Sequence, residues 1–142
     1  MKVCQVMAGD GDGGLESHFV ELSNGLAGAG CHLVAIGHKK YRSRFESSVR
    51  HIPLDLSGGR RNPLLLAHLA WILRQEAPDI VHAQANKAVE MLAQIRAVVP
   101  GYRVGTIHNS KRSTGMFARI QTVIGVSRGV VSNLTHPDVR VV

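Results

Sequence analysis

Backbone amides able to meet a phosphate are suggested first by Gly9-Asp10-Gly11-Asp12-Gly13-Gly14, a glycine loop that follows a short apolar run. Glycines at the start of a helix let N–H groups approach an anion closely. Gly9, Gly11 and Gly14 formally match G-x-G-x-x-G. A dinucleotide site also wants an acid about 20 residues further on to hold the ribose. No Asp or Glu lies between Glu21 and Glu46, and Asp10 and Asp12 would repel a pyrophosphate. Two other readings stand beside the phosphate one. In one the glycines serve only a tight turn; in the other Asp10-Gly11-Asp12 is a D-x-D metal pair, which lacks a neighbouring carboxylate set.

Histidines supply the second kind of chemistry. His82 and His108 each close an apolar run. A histidine at such a place can donate to a ligand hydroxyl through one ring nitrogen while backbone fixes the other. It can equally be a structural residue that holds a loop, and for His82 the two readings stand level. Ser127 is first of all a helix cap, and Arg128 faces either a cleft or solvent. Glu16 falls in a first helical turn, where the macrodipole favours a carboxylate with or without a functional role. The eight histidines include no i, i+4 pair and no cysteine partner, so no metal site is expected.

The sharpest charge cluster is His38-Lys39-Lys40-Tyr41-Arg42-Ser43-Arg44-Phe45, with Arg50, Arg60 and Arg61 further on. One reading is a solvated loop. The other is docking to an anionic membrane or a phosphorylated glycolipid through Lys39, Lys40, Arg42 and Arg44. Four cations at about 1 kcal/mol each give about 4 kcal/mol, a weak and salt-sensitive attraction. No recognition motif accompanies the charge, so a nucleic-acid partner is not expected.

Size and composition agree with one ordinary domain that buries a core. The chain has 142 residues, 44% of them hydrophobic and only 4% aromatic, so Leu, Val, Ile and Ala must build the interior. That suits helices packed on a parallel sheet. The formal charge of +7 favours an anionic partner. No export signal is expected from the first residues, whose apolar run is short and broken by Gln5, and the best apolar stretch, 64–73, is too short for a bilayer and broken by His68. Cys4 and Cys31 form no redox or metal motif, as expected of reduced residues in a cytoplasmic protein.

The elements that must position these residues follow from periodicity. Strands are expected over 3–8, 32–37, 49–54, 79–82, 103–107, 122–126 and 139–142. Leu15, Phe19, Leu22 and Leu26 make one stripe of a helix over 15–29, which Gly28 and Gly30 end. Asn62-Pro63 starts a helix that stops before Pro78. A further helix covers 87–99, and Ser127 begins a short one over 127–134. Alternating strands and helices imply one α/β domain, a Rossmann-like doubly wound parallel sheet. With the order 3-2-1-4-5-6, one carboxyl edge gathers the glycine loop, His82-Ala83-Gln84, His108-Asn109 and Ser127-Arg128. The first and fourth strands would flank the reversal, where ligands bind such sheets.

A resemblance sharpens this. Gly13-Gly14-Leu15-Glu16-Ser17-His18-Phe19-Val20-Glu21-Leu22, then Leu26 and Gly30-Cys31-His32-Leu33-Val34, resembles the opening of the family-4 retaining glycosyltransferases of the GT-B fold. Pro78-Asp79-Ile80-Val81-His82-Ala83-Gln84 is similar to their fourth strand and histidine turn. Thr106-Ile107-His108 and Val123-Ile124-Gly125-Val126-Ser127 are similar to the next two strands. The resemblance implies two Rossmann-like domains with the active site between them, this chain being the N-terminal, acceptor-side one. The donor-binding domain, with its Glu-rich motif, is expected outside it, so that this chain alone is inactive.

The resemblance also implies roles. Gly13 and Gly14 would approach the donor phosphates, His108 would touch the transferred sugar, and Glu16, His82, Ser127 and Arg128 would line the cleft. The expected reaction moves a hexosyl group, with retention, from a nucleotide-sugar to a glycan or glycolipid, of lipopolysaccharide type in the cell envelope. Cationic groups would stabilise the departing diphosphate. No cofactor or metal is expected beyond the nucleotide-sugar co-substrate, and no glycosidase-like carboxylate pair is present. The expected place is the cytoplasm, peripheral on the inner face of its membrane. Two departures stand out: the stretch 108–122 is short, and Gln121 replaces a common Asp, so an unusual acceptor side is expected. The alternatives are a non-catalytic module for anionic glycans or lipids, and an NADP-type oxidoreductase with Lys39 and Lys40 near the ribose phosphate.

Overall fold

Apolar runs of strand length, separated by helix-length amphipathic segments, leave only crossover connections and therefore parallel strands. The computed structural model describes residues 1–108, 115–128, 131 and 136–142. Its strands are β1 (Lys2–Met7), β2 (His32–Gly37), β3 (Arg50–Pro53), β4 (Ile80–Gln84), β5 (Tyr102–Ile107), β6 (Thr122–Gly125) and β7 (Val139–Val141). They pair in parallel throughout, in the order β3-β2-β1-β4-β5-β6-β7. The expected reversal between the first and fourth strands is present, and β7 extends the sheet by one.

Alternation along the strands divides the core. Cys4, Val6, Val34, Ile36, Val81 and Ala83 point to one face, under helices α2 (Pro63–Glu76) and α3 (Ala85–Ile95). Val3, Met7, Leu33 and Ala35 point to the other, under Phe19 and Val20 of helix α1 (Gly14–Gly28). Tyr41, from a 3-10 helix over Lys39–Arg44, completes that second layer. Burial pushes the Cys4 thiol up to about 12, with the Glu76 carboxylate adding to it, so this cysteine is an inert core residue.

The helix ends follow the residues that predicted them. Gly30 adopts φ of 101°, and the Gly30 and Cys31 amides donate to Ala27 and Leu26 carbonyls, which closes α1. Asn62 Oδ1 accepts from the Leu64 and Leu65 amides, with Pro63 as the first residue of α2. Ala77, in the left-handed region, ends α2 immediately before Pro78.

Three expectations need correction. The fourth strand runs on to Gln84, so His82 lies inside the strand and not at its end. Helix α3 starts at Ala85 and stops at Ile95, short of 99. Gln121 precedes β6 and therefore sits at the amino edge, opposite the cleft. Its Oε1 accepts from the Arg103 amide and its own amide donates to the Arg103 carbonyl, so it clips β5 to β6. It cannot shape an acceptor site on the other edge. Asn109 and most of the expected helix over 127–134 lie outside the described residues; a 3-10 helix, Gly115–Arg119, precedes β6.

Candidate functional site at the sheet reversal

A parallel strand buried on both faces has no water to satisfy a polar side chain, so each such side chain needs a protein partner. On the α1 face of the sheet, one polar row crosses the reversal: Gln5 on β1, His82 and Gln84 on β4, and Thr106 on β5. All four are buried. Register brings them together, because Gln5 pairs with His82 and Gln84 pairs with Thr106.

The row is bonded end to end. Gln84 Oε1 accepts from His108 Nε2 at 3.1 Å. Gln84 Nε2 donates to Gln5 Oε1 at 2.8 Å. Gln5 Nε2 in turn meets His82 Nδ1 at 3.0 Å, and His82 Nε2 meets Thr106 Oγ1. His108 stands where β5 ends, half-buried, and the His18 ring from α1 packs edge-on against it with centroids 4.9 Å apart. Burial holds the His108 imidazole below its ordinary pKa, His18 adds to this, and Glu16 opposes it. Burial pushes His82 further, down to about 4, with His18 and His108 contributing. Both rings are therefore neutral near pH 7. The partner that fixes the second His108 nitrogen is thus the Gln84 side chain, where the sequence suggested backbone.

Beside this row lies the glycine loop. Gly13 is the N-cap of α1, and its amide donates to Glu16 Oε2 at 2.9 Å. The same carboxylate lies against Gly9 and Gly11: a Cβ on Gly11 would stand 2.9 Å from Glu16 Oε1. Glu16 thus stabilises the helix start as its position in the first turn suggested. Gly14 faces open space, with nothing within 4 Å of a Cβ built there.

The basic cluster is not a free loop. The Tyr41 hydroxyl donates to the Gly11 carbonyl. Lys40 Nζ donates to the Asp10 carbonyl at 2.6 Å and pairs with Asp12 at 3.2 Å. Arg44 reaches Ser17 Oγ at 3.2 Å. Lys39 and Arg42 are exposed. Asp12 is thus engaged by Lys40, and among the described residues no three His, Cys, Asp or Glu gather as a metal site.

Structure therefore brings together the glycine loop, Glu16, His108 and Lys40 at the carboxyl edge near the reversal. His82 is close but buried inside the sheet. Ser127 and Arg128 follow β6 on the same edge and are exposed. Sequence reading placed Gln84 at this edge without giving it a role, and missed Gln5, Thr106, His18 and Tyr41 as site residues. Gln5 carried a signal of its own, being the one polar residue between Val3 and Ala8 in an otherwise apolar strand. Next to the row, His18, Leu22, His82, Thr106, Ile124, Val126 and Val142 line a cavity of about 330 Å³. No helix among the described residues is long and apolar enough to cross a membrane.

Residues 12–141 match the sequence profile described as Glycosyltransferase Family 4. No curated protein sequence matches the chain. Among solved structures, a glycosyltransferase from Rickettsia africae ESF-5 is 18% identical and superposes with a TM-score of 0.72, over 99% of this chain and 42% of its own. Anabaena Alr3699/HepE, solved in complex with UDP-glucose, is 13% identical with a TM-score of 0.76, over 100% of this chain and 43% of its own. The lipopolysaccharide outer core galactosyltransferase WaaB in its apo form is 14% identical with a TM-score of 0.64, over 98% and 44%. The chain thus spans less than half the length of these proteins. At such identities the likeness shows the fold, the Rossmann-like half of a GT-B glycosyltransferase.

Proposed function

We propose, for a chain that belongs to Glycosyltransferase Family 4, that it forms the acceptor-side half of an enzyme that transfers a hexosyl group from a nucleotide-sugar. The observation that carries this reading is the placement of His108 beside the start of α1 and its glycine loop, at the reversal of a parallel sheet. The UDP-glucose held by the Anabaena protein supports the donor class, and the name of WaaB supports a glycan or glycolipid acceptor of the cell envelope. A second domain would hold most of the donor and close the cleft. The chain by itself would then transfer no sugar.

The residues here can do three things in such a cleft. His108, neutral and held by Gln84, can hydrogen-bond a hydroxyl of the transferred sugar. The glycine loop can offer the Gly13 and Gly14 amides to the donor diphosphate, with the Gly13 amide changing partner from Glu16 Oε2 to a phosphate oxygen. Lys40, already at the loop, adds positive charge near the leaving group. Retention is the outcome when the acceptor hydroxyl attacks on the face that the leaving group vacates. Arg128 and Ser127 would face the acceptor. Lys39 and Arg42 would touch an anionic surface at the cytoplasmic face of a membrane.

The test is a nucleotide-sugar panel run on the complete enzyme and on its His108→Ala and His108→Gln variants. Loss of a contact that tightens in the transition state lowers kcat more than it raises KM. Turnover with one donor, cut roughly ten- to a thousand-fold by His108→Ala, or about 1.4–4 kcal/mol, is the expected result. His108→Gln should lose less. Full turnover in a folded His108→Ala enzyme would remove the residue from the reaction, and donor binding without turnover by the wild type would make the protein a binding module.

A further inference from the structure

The hydrogen bonds from His108 to Thr106 run in one direction, and this has a chemical consequence. A carbonyl oxygen can only accept. Gln84 presents Oε1 to His108 and Nε2 to Gln5 Oε1. Gln5 then has only its Nε2 left for His82 Nδ1, which must accept. His82 carries its proton on Nε2, facing Thr106 Oγ1. The two amides are coupled: turning Gln84 alone would set its carbonyl against the Gln5 carbonyl, so they can reverse only together, which would make His82 donate from Nδ1 and His108 Nε2 accept. Ala85 takes φ of 66° directly after Gln84, where β4 turns sharply into α3.

We propose that Gln84, oriented by Gln5, is a positioning residue that holds the proton of His108 on Nε2 and leaves Nδ1 as a hydrogen-bond acceptor. This rests on the reading of His108 as the sugar-facing group. The sugar hydroxyl is then met as a donor, the reverse of the polarity first expected from the sequence. Among the described residues no polar atom meets Nδ1, while the groups that face the ring are His18 across the T-shaped contact, Glu16 at the helix start and His82 behind Gln84. The sheet thus imposes the tautomer from behind, through buried residues on β1 and β4. Second partners of this kind commonly decide which nitrogen of a histidine is available.

The experiment is ring nitrogen NMR on the complete protein with 15N-labelled histidine, His108 being assigned by its loss in His108→Gln. The wild type should show Nε2 protonated, Nδ1 bare, and a ring proton slow to exchange with water. Gln84→Met removes the acceptor at nearly the same size. It should speed exchange of the His108 ring proton at least about tenfold and raise the Nδ1–H form several-fold. Gln84→Glu, which restores an acceptor, should keep the proton on Nε2 and raise the His108 titration midpoint by about one pH unit or more. A wild-type proton on Nδ1, or unchanged exchange and tautomer in Gln84→Met, would overturn the proposal. The wild-type measurement decides even if a variant does not fold. Transfer assays on the same variants separate the two readings: a lost tautomer with full kcat would leave the relay standing and remove His108 from the reaction.

Discussion

The Tyr41 hydroxyl donates to the Gly11 carbonyl at 2.6 Å, and with the Lys40 contacts to Asp10 and Asp12 this bond ties the basic 3-10 helix to the glycine loop about thirty residues earlier. Tyr41 has no exposed surface, and its ring packs edge-on against Phe19 of α1. Burial pushes its hydroxyl up to about 12, with the carboxylates of Glu16, Asp12 and Asp10 adding to this, so the donor proton is present at any physiological pH. Tyr41→Phe keeps the packing and removes the bond. It should cost about 1 kcal/mol and lower Tm by roughly 3–6 °C. In the complete enzyme the loosened loop should raise donor KM more than it lowers kcat. Unchanged melting and unchanged KM together would show that the hydroxyl does not hold the loop.

The same contact divides the four cations that the sequence grouped. Lys40 and Arg44 are engaged with Asp10, Asp12 and Ser17, while Lys39 and Arg42 are exposed. Binding to anionic vesicles should therefore fall for Lys39→Gln with Arg42→Gln, most visibly at low salt. Tm should stay within about 1 °C, as for most surface changes. Lys40→Gln should instead disturb the loop and donor binding. Vesicle binding that ignores the Lys39 and Arg42 pair across salt concentrations would leave the cluster without a membrane role.

Much of this was legible in the residues. Element order followed from apolar periodicity and the ends of α1 and α2 from Gly30, Asn62 and Pro63, because these are local effects; the reversal followed only from the strand order assumed for a doubly wound sheet, which the structure shows. His82 was misplaced for a local reason too: Ala83 and Gln84 have weak strand preference, and only pairing with Met7 and Thr106 extends β4 through them. The docking of Tyr41 and Lys40 on the loop depends on contacts between residues 28 to 30 positions apart, which no periodicity records. Gln5 was the readable clue that went unused. A lone amide in a buried strand requires partners, and those partners are His82 and Gln84.

Acid should expose the buried histidine. The His82 pKa falls from 6.5 to about 4 on folding, mainly through burial, so the unfolded chain takes up a proton that the folded one refuses. A depressed pKa of this kind gives stability that is complete above the unfolded value and is lost as pH falls. The window runs from about pH 6.5 to about pH 4, and the loss is on the order of 3 kcal/mol. His82→Gln can still accept from Gln5 and donate to Thr106 but does not titrate. Its Tm should fall less between pH 7 and pH 4.5 than that of the wild type. Parallel pH profiles for the two proteins would show that His82 is not the group responsible.

Gly14 offers the cleanest test of the phosphate reading, because two effects that usually arrive together are separated there. A side chain added to a glycine loop commonly damages the fold and the ligand site at once. At Gly11 a Cβ would meet Glu16 Oε1 at 2.9 Å, and at Gly13 it would meet Glu16 Oε2 at 3.3 Å, so both changes disturb the carboxylate that caps α1. At Gly14 a Cβ meets nothing within 4 Å, and the backbone there is already helical. Gly14→Ala should therefore leave Tm unchanged or raise it slightly, since alanine gains up to about 0.5–1 kcal/mol over glycine at a compatible helical position. The open space that spares the fold is where a diphosphate would approach the amides at the start of α1. A methyl group in it should raise donor KM about tenfold in the complete enzyme, with Gly14→Val stronger. Normal donor affinity in a Gly14→Val enzyme of unchanged stability would mean that the donor phosphates do not come to this helix, and that the glycines serve the turn and its Glu16 cap alone.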